Sequence, residues 1–170
     1  MNGILIYSAA EARRNAFSVE KFKKHLGVRL VLEEELDPDM PADFVINRTN
    51  NAEIAQAFER RGVRVFNPAS LTRLANDKQR CYEFMQKNGI RIMPVNQTEP
   101  PLVEKPSNGR GGRGVRLIKS GKIELKPGYV YQKPASQLGR DLRVWLIGGK
   151  IICAVLRTSE TDFRSNYCLG

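Results

Sequence analysis

Residues 105–117 read KPSNGRGGRGVRL. Gly109, Gly111, Gly112 and Gly114 sit among Arg110, Arg113 and Arg116, and Lys105 leads the stretch. Glycine lets backbone N–H groups close over phosphate oxygens without a Cβ in the way. A lysine ending the entering strand can add a point charge to a phosphate. Nucleotide phosphates, nucleic acid and a solvated basic turn all suit such a loop, and the loop alone does not choose among them.

The elements around the loop narrow the choice. Residues 102–105 read as an entering strand, 115–118 as a leaving strand and 129–132 as a third. Strand, glycine loop, strand differs from the strand, loop, helix order of P-loop and dinucleotide-binding units. Upstream, apolar runs predict strands at 3–7, 28–32, 43–47 and 63–66. A helix carrying Ala16, Phe17, Val19, Phe22 and Leu26 should stop at Gly27. A second, over 52–61, should be capped by Asn51 and end at Gly62. Strand, helix, strand, strand, helix, strand with short connections predicts a small α/β layer with a largely parallel sheet. A helical stretch follows: Pro68 starts a short turn to Leu74, and Asp77 opens a longer helix over 78–88 that Gly89 ends. The texture turns to β near residue 93. Further on, strands at 143–147 and 150–156 flank Gly148-Gly149, a tight hairpin pair.

Charge is distributed unevenly along the 170 residues. The net charge is +10, yet residues 1–75 carry 11 Lys/Arg against 10 Asp/Glu, while 76–170 carry 17 against 8. An anion is therefore the expected partner of the second part. The three cysteines, Cys81, Cys153 and Cys168, have no metal spacing and read as reduced thiols. His25 lies among Lys21, Lys23 and Lys24 and reads as a solvated surface residue. The first residues lack the basic start and apolar stretch of a signal peptide, and no apolar run is long enough to cross a bilayer, so the expected location is cytoplasmic.

Four pieces, in order, carry a resemblance: VRVFNPASLTRLANDKQRCYEFMQKNGIRIMP, LVEKPSNGRGGRGV, YVYQKPASQLGRDLRVWLIGGKIICAVLR and TDFRSNYCLG. Together they run from residue 63 to the end and resemble the ATP-grasp superfamily, within it the RimK-type amino-acid ligases. The resemblance implies an α/β (α+β), ATP-grasp-like fold. Its expected parts are an N-terminal α/β domain (1–75), a connecting helix (76–93), a reduced β-rich lid with the glycine loop (94–134) and the start of a C-terminal lobe (135–170).

It also implies roles. Lys78 matches the lysine that approaches the phosphates from the first helix, and Lys105 the lid lysine on the nucleotide. Asn108, Gly109, Gly111, Gly112 and Gly114 match the phosphate flap. Gln132, Lys133 and Pro134 match the hinge at adenine, and Asp141 the acid on the ribose. Arg157, Arg164, Ser165 and Asn166 match the element near the transferred phosphoryl group; Arg157, Arg164 and Asn166 are the expected catalytic residues. ATP with Mg²⁺ is the implied cofactor pair. The implied partners are a carboxylate substrate and an amine acceptor: an amino acid, a peptide or a protein tail. Phosphoryl transfer is mostly positioning and charge stabilisation, so no protein nucleophile is required.

Two departures accompany the resemblance. Pro100-Pro101 and Lys126-Pro127-Gly128 forbid the helices the family places on its lid, so a bare β-sheet lid is expected. The family's Mg²⁺ ligands, an Asp, a Glu and an Asn, cannot be identified before Gly170, so the C-terminal part is expected to be missing. An apolar strand at 150–156 without neighbours would expose apolar surface and favour self-association. The leading expectation is an ATP-dependent carboxylate–amine ligase acting through an acylphosphate. Activity hinges on a C-terminal portion of the native protein. A non-catalytic nucleotide-binding relative and, ranked lower, a basic nucleic-acid-binding protein are the alternatives; membrane association is not expected.

Overall fold

The computed structural model describes residues 1–165. Two compact units divide the chain, Met1–Asn76 and a second beginning at Asp77. No described helix is long and apolar enough to cross a membrane.

In the first unit, strands β1 (Gly3–Tyr7), β2 (Arg29–Leu32), β3 (Phe44–Asn47) and β4 (Arg64–Phe66) form a parallel sheet in the order β2-β1-β3-β4. Every residue of β1 is buried because both faces of the sheet are covered. Alternation assigns the faces. Ile4 and Ile6 pack with Val45, Val65, Ile54, Ala55, Phe58 and Ala69, while Leu5 and Tyr7 pack with Val19, Val28 and Ile46.

Three helices follow the expected pattern closely and two do not. Helix α2 (Ala16–Leu26) ends at Gly27, and α3 (Ala52–Arg60) is capped by the Asn51 side chain, which accepts from the Glu53 N–H. Helix α5 (Lys78–Lys87), which opens the second unit, is capped by the Asp77 side chain. Helix α1 (Ala9–Arg14) is an addition to the expected set. The short turn expected at 68–74, within a helical stretch, is a full helix, α4 (Ala69–Asn76). Its first N–H donates to the Glu59 carboxylate at 3.0 Å, and Ala69 is buried in the core, so tertiary contacts extend what local sequence suggested was brief.

The second unit continues with β5 (Leu102–Pro106), β6 (Arg116–Ile118) and β7 (Tyr129–Gln132), an antiparallel sheet in the order β6-β5-β7. Among the described residues no helix lies between Pro94 and Gln132. Strands β8 (Arg140–Ile147) and β9 (Lys150–Thr158) form a two-stranded hairpin, with a register irregularity between Trp145 and Leu146. Leu142, Leu146, Ile147, Ile151, Ile152 and Leu156 are all exposed there.

Candidate nucleotide site

The geometry of the lid sheet follows from its register. Val103 pairs with Gln132, Glu104 with both Tyr131 and Arg116, and Lys105 with Val130. Side chains alternate across a strand. Val103, Lys105 and Gln132 therefore share one face, which lines a cavity of about 480 Å³.

That cavity gathers residues from α5, β5, β7 and β8 and from the segments between and beyond them. Lys78 comes from the start of α5, Gly109, Gly111 and Gly112 from the loop, and Lys133 and Pro134 from the segment after β7. Arg140 and Asp141 come from β8, with Arg164 and Ser165 beyond β9. Asn108, Gly114 and Arg157 lie off the cavity wall, in contrast to their expected places in the site. Asn166 lies outside the described residues, as does Cys168.

Each polar group is held in place. Lys105 Nζ donates to Gln132 Oε1 at 2.5 Å and lies 5.9 Å from the centre of the Tyr82 ring. Gln132 Nε2 in turn donates to the Met93 carbonyl at 3.0 Å, and Lys133 N–H to the Pro94 carbonyl at 2.8 Å. The 93–95 segment is thereby fixed along β7. Lys78 Nζ donates to the Pro106 carbonyl at 3.1 Å and also to that of Gly109, so it grips the loop's own backbone. Burial, with Lys78 nearby, pushes the Lys105 pKa below its ordinary value. Burial and the charge of Arg110 do the same to Lys78, against a smaller opposing effect of Asp77. Two part-buried ammonium groups facing one cavity are costly without an anion, and an anion relieves that cost.

Asp141 and Arg157 are opposite each other in the β8–β9 ladder and form a bidentate pair, Nε to Oδ1 at 2.6 Å and Nη2 to Oδ2. Ser165 Oγ adds a bond to Asp141 Oδ2 at 2.6 Å. The Arg157 hydrogen bond is the chief cause of the lowered Asp141 pKa. Arg157 thus acts on the cavity through Asp141. Arg164 forks onto Asp162 and reaches the Gly112 carbonyl. Hydrogen bonds from the Arg164 side chain and backbone hold the Asp162 carboxyl at about 2.

Two glycines are required by shape. Gly114 has φ +69°, and a Cβ there would lie 2.9 Å from Pro106 Cγ. Gly139 packs so closely on the 159–162 backbone that a Cβ would meet the Ser159 carbonyl oxygen at 2.6 Å. Its N–H donates to the Phe163 carbonyl at 2.8 Å and its carbonyl accepts from Ser159 N–H at 2.7 Å. This contact delivers Arg164 to the cavity.

Several wall residues were not anticipated. Met93, Val103, Val115, Leu138 and Phe163 supply apolar surface, and Tyr82 supports Lys105. Val103 stands two residues before Lys105, and Tyr82 four after Lys78, so strand and helix periods carried a signal for both. Nothing local marked Leu138 or Phe163. No group of three or more His, Cys, Asp and Glu residues able to hold a metal ion occurs among the described residues. Asp141, the one acid among the lining residues, is paired with Arg157, and Asp162 beside Arg164 is paired with that arginine. The described donors therefore do not form a Mg²⁺ site by themselves.

No protein-family model matches the chain. It is 30% identical over 143 residues to a "Probable alpha-L-glutamate ligase" of Parasynechococcus marenigrum, covering 69% of this chain and 30% of that protein. A namesake from Xanthomonas euvesicatoria is 31% identical over 130 residues, covering 61% of this chain and 44% of the relative. The chain thus spans less than half the length of either. The RimK domain protein ATP-grasp of Sphaerobacter thermophilus superposes with a TM-score of 0.66 at 18% identity, over 93% of this chain and 73% of that one. The L-amino acid ligase of Bacillus licheniformis does so with a TM-score of 0.63 at 14% identity, over 95% of this chain and 52% of that one.

Proposed function

We propose that this chain, which has the ATP-grasp fold and sequence relatives among the probable alpha-L-glutamate ligases, carries the ATP-binding machinery of an ATP-dependent carboxylate–amine ligase. The observation that supports this most is the cavity in which Lys105 and Lys78 meet the glycine loop beside an apolar wall.

In this reading Lys105 and Lys78 hold the phosphates, with the loop backbone over them. Met93, Val103 and Leu138 form the slot for the base, next to the backbone of Gln132, Lys133 and Pro134. Asp141 accepts from the ribose hydroxyls, oriented by Arg157 and Ser165. Arg164 neutralises charge on the transferred phosphoryl group. The substrate carboxylate attacks the γ-phosphorus, ADP leaves, and an acylphosphate results. The acceptor amine then attacks the acyl carbon, and inorganic phosphate departs as the C–N bond forms. Mg²⁺ accompanies ATP in such chemistry and neutralises phosphate charge. The relatives' names make glutamate the first amino acid to test, with a free amino acid, a peptide or a protein tail as the other partner. A cytoplasmic setting, where ATP is abundant, fits this role.

The test is calorimetric titration with ADP and ATP, with and without Mg²⁺, of the chain and of Lys105→Ala. Binding that the variant weakens by about 10–100-fold supports the reading, the range for a hydrogen bond to a charged group. A folded chain that binds neither nucleotide overturns it. Binding without any turnover in the complete gene product would instead mark a nucleotide-binding relative.

A further inference from the structure

The lid sheet has a second face. Glu104, Tyr131 and Arg116 alternate with the residues of the nucleotide cavity and point away from it. There they border another cavity, also of about 480 Å³, whose remaining wall comes from the end of β6 and the segment after it. Ile118 and Ile123 give it a half-buried apolar lining, and Lys122 and Lys126 add charge.

Glu104 is a built feature of this groove, only 3% exposed. Its Oε1 accepts from Arg116 Nε at 2.9 Å and Nη2 at 2.5 Å, and its Oε2 from the Tyr131 hydroxyl at 2.9 Å. Lys126 Nζ lies 3.8 Å from Oε2. Both carboxylate oxygens are engaged, so Glu104 serves to fix Arg116 rather than to receive a ligand. Arg116 nevertheless remains 61% exposed and Lys126 57%. The result is a cation held in one geometry, flanked by two more, over an apolar floor. The wall itself carries Arg116, Lys122 and Lys126 against Glu124 and the fully engaged Glu104.

We propose that this outer groove docks an acidic peptide segment. Its charge calls for carboxylates and its floor for the aliphatic atoms that carry them, which a bare inorganic anion lacks. Nucleic acid fits less well, because the one aromatic among the described wall residues, Tyr131, is 2% exposed and offers no face for a base to stack on. The groove lies on the opposite face of the sheet from the nucleotide cavity, so its occupancy does not depend on the nucleotide reading.

The experiment titrates a fluorescein-labelled glutamate-rich peptide, and its glutamine counterpart, into the full chain by anisotropy. The glutamate peptide should bind and the glutamine peptide should not. In a Lys122→Glu/Lys126→Glu variant the Kd should rise roughly tenfold, as reversing two exposed charges implies, while the ADP titration stays unchanged. Three results would overturn the proposal: no binding by a folded chain, equal binding by the variant, or single-stranded DNA of matched charge binding as tightly as the peptide. Loss of ADP binding in Lys105→Ala reports on the other face and is read separately.

Discussion

The Arg164 guanidinium donates from Nη1 to the Gly112 carbonyl at 2.9 Å, joining the end of the described chain to the middle of the glycine loop across 52 residues. The same guanidinium forks onto Asp162, with Nε to Oδ1 at 2.9 Å and Nη2 to Oδ2 at 2.6 Å. Lys78 grips the same loop at the Pro106 and Gly109 carbonyls. Cations proposed to meet phosphate therefore also set the position of the loop.

Removing Arg164 should free the loop. Trypsin can cut after Arg110 and Arg113, and cleavage of a native loop tracks how often it opens. Arg164→Ala should be cut there about tenfold faster or more, the factor for losing a hydrogen bond to a charged group. Arg164→Lys should restore little, because an ammonium cannot fork onto a carboxylate. Unchanged cleavage in both variants would show that the Gly112 contact does not hold the loop.

Nucleotide binding should take up protons at alkaline pH. Lys105 and Lys78 have folded pKa values below the ordinary 10.5, with burial the chief cause. Phosphate favours the charged amines and raises those values again. Between the lowered values and 10.5, ADP should bind with net proton uptake, and its affinity should fall as pH rises. The same lysines disfavour the folded state while charged, so that contribution relaxes over the same rise. Calorimetry in buffers of different ionisation enthalpy measures the uptake; identical heats after buffer correction would contradict it.

Acid should undo the Arg164 fork. The folded Asp162 carboxyl sits at about 2, against an ordinary 3.8. A depressed carboxyl pKa gives stability that is complete above the unfolded value and drains away as pH falls through the folded one. The window therefore lies between about 4 and 2. Carboxyl resonances followed by NMR should place the Asp162 midpoint there, and Asp162→Asn should remove that step. A midpoint near 4 would mean that the fork does not persist in solution.

The first unit offers a packing test. Phe58 is fully buried against β1 and β3, in the cluster formed by Ile4, Ile6 and Val45. Phe58→Ala should cost about 3–5 kcal/mol of stability, and Phe58→Leu markedly less, since it leaves a smaller cavity. Denaturant unfolding of the two variants compares them directly. Equal losses would mean that the cavity is not what sets the cost.

Local signals in the sequence determined a good deal. Buried runs such as residues 3–7, caps such as Asn51 and Asp77, and stop signals such as Gly27 act within a few residues, so the order of strands and helices was readable from them. The glycine loop between two strands was readable for the same reason, and with it Lys105. What tertiary structure alone decided are relationships between residues far apart in the chain. The short helical turn expected at 68–74 extended to residue 76, where Glu59 accepts from the first N–H and the core takes in Ala69. Arg157 turned from a candidate contact into the partner of Asp141 because β8–β9 register sets them opposite each other. Leu138 and Phe163 reached the cavity wall because Gly139 lets two backbones touch. Sequence spacing encodes the period of one element, whereas register and close approach depend on how separate elements pack, and that is fixed only when the chain has folded.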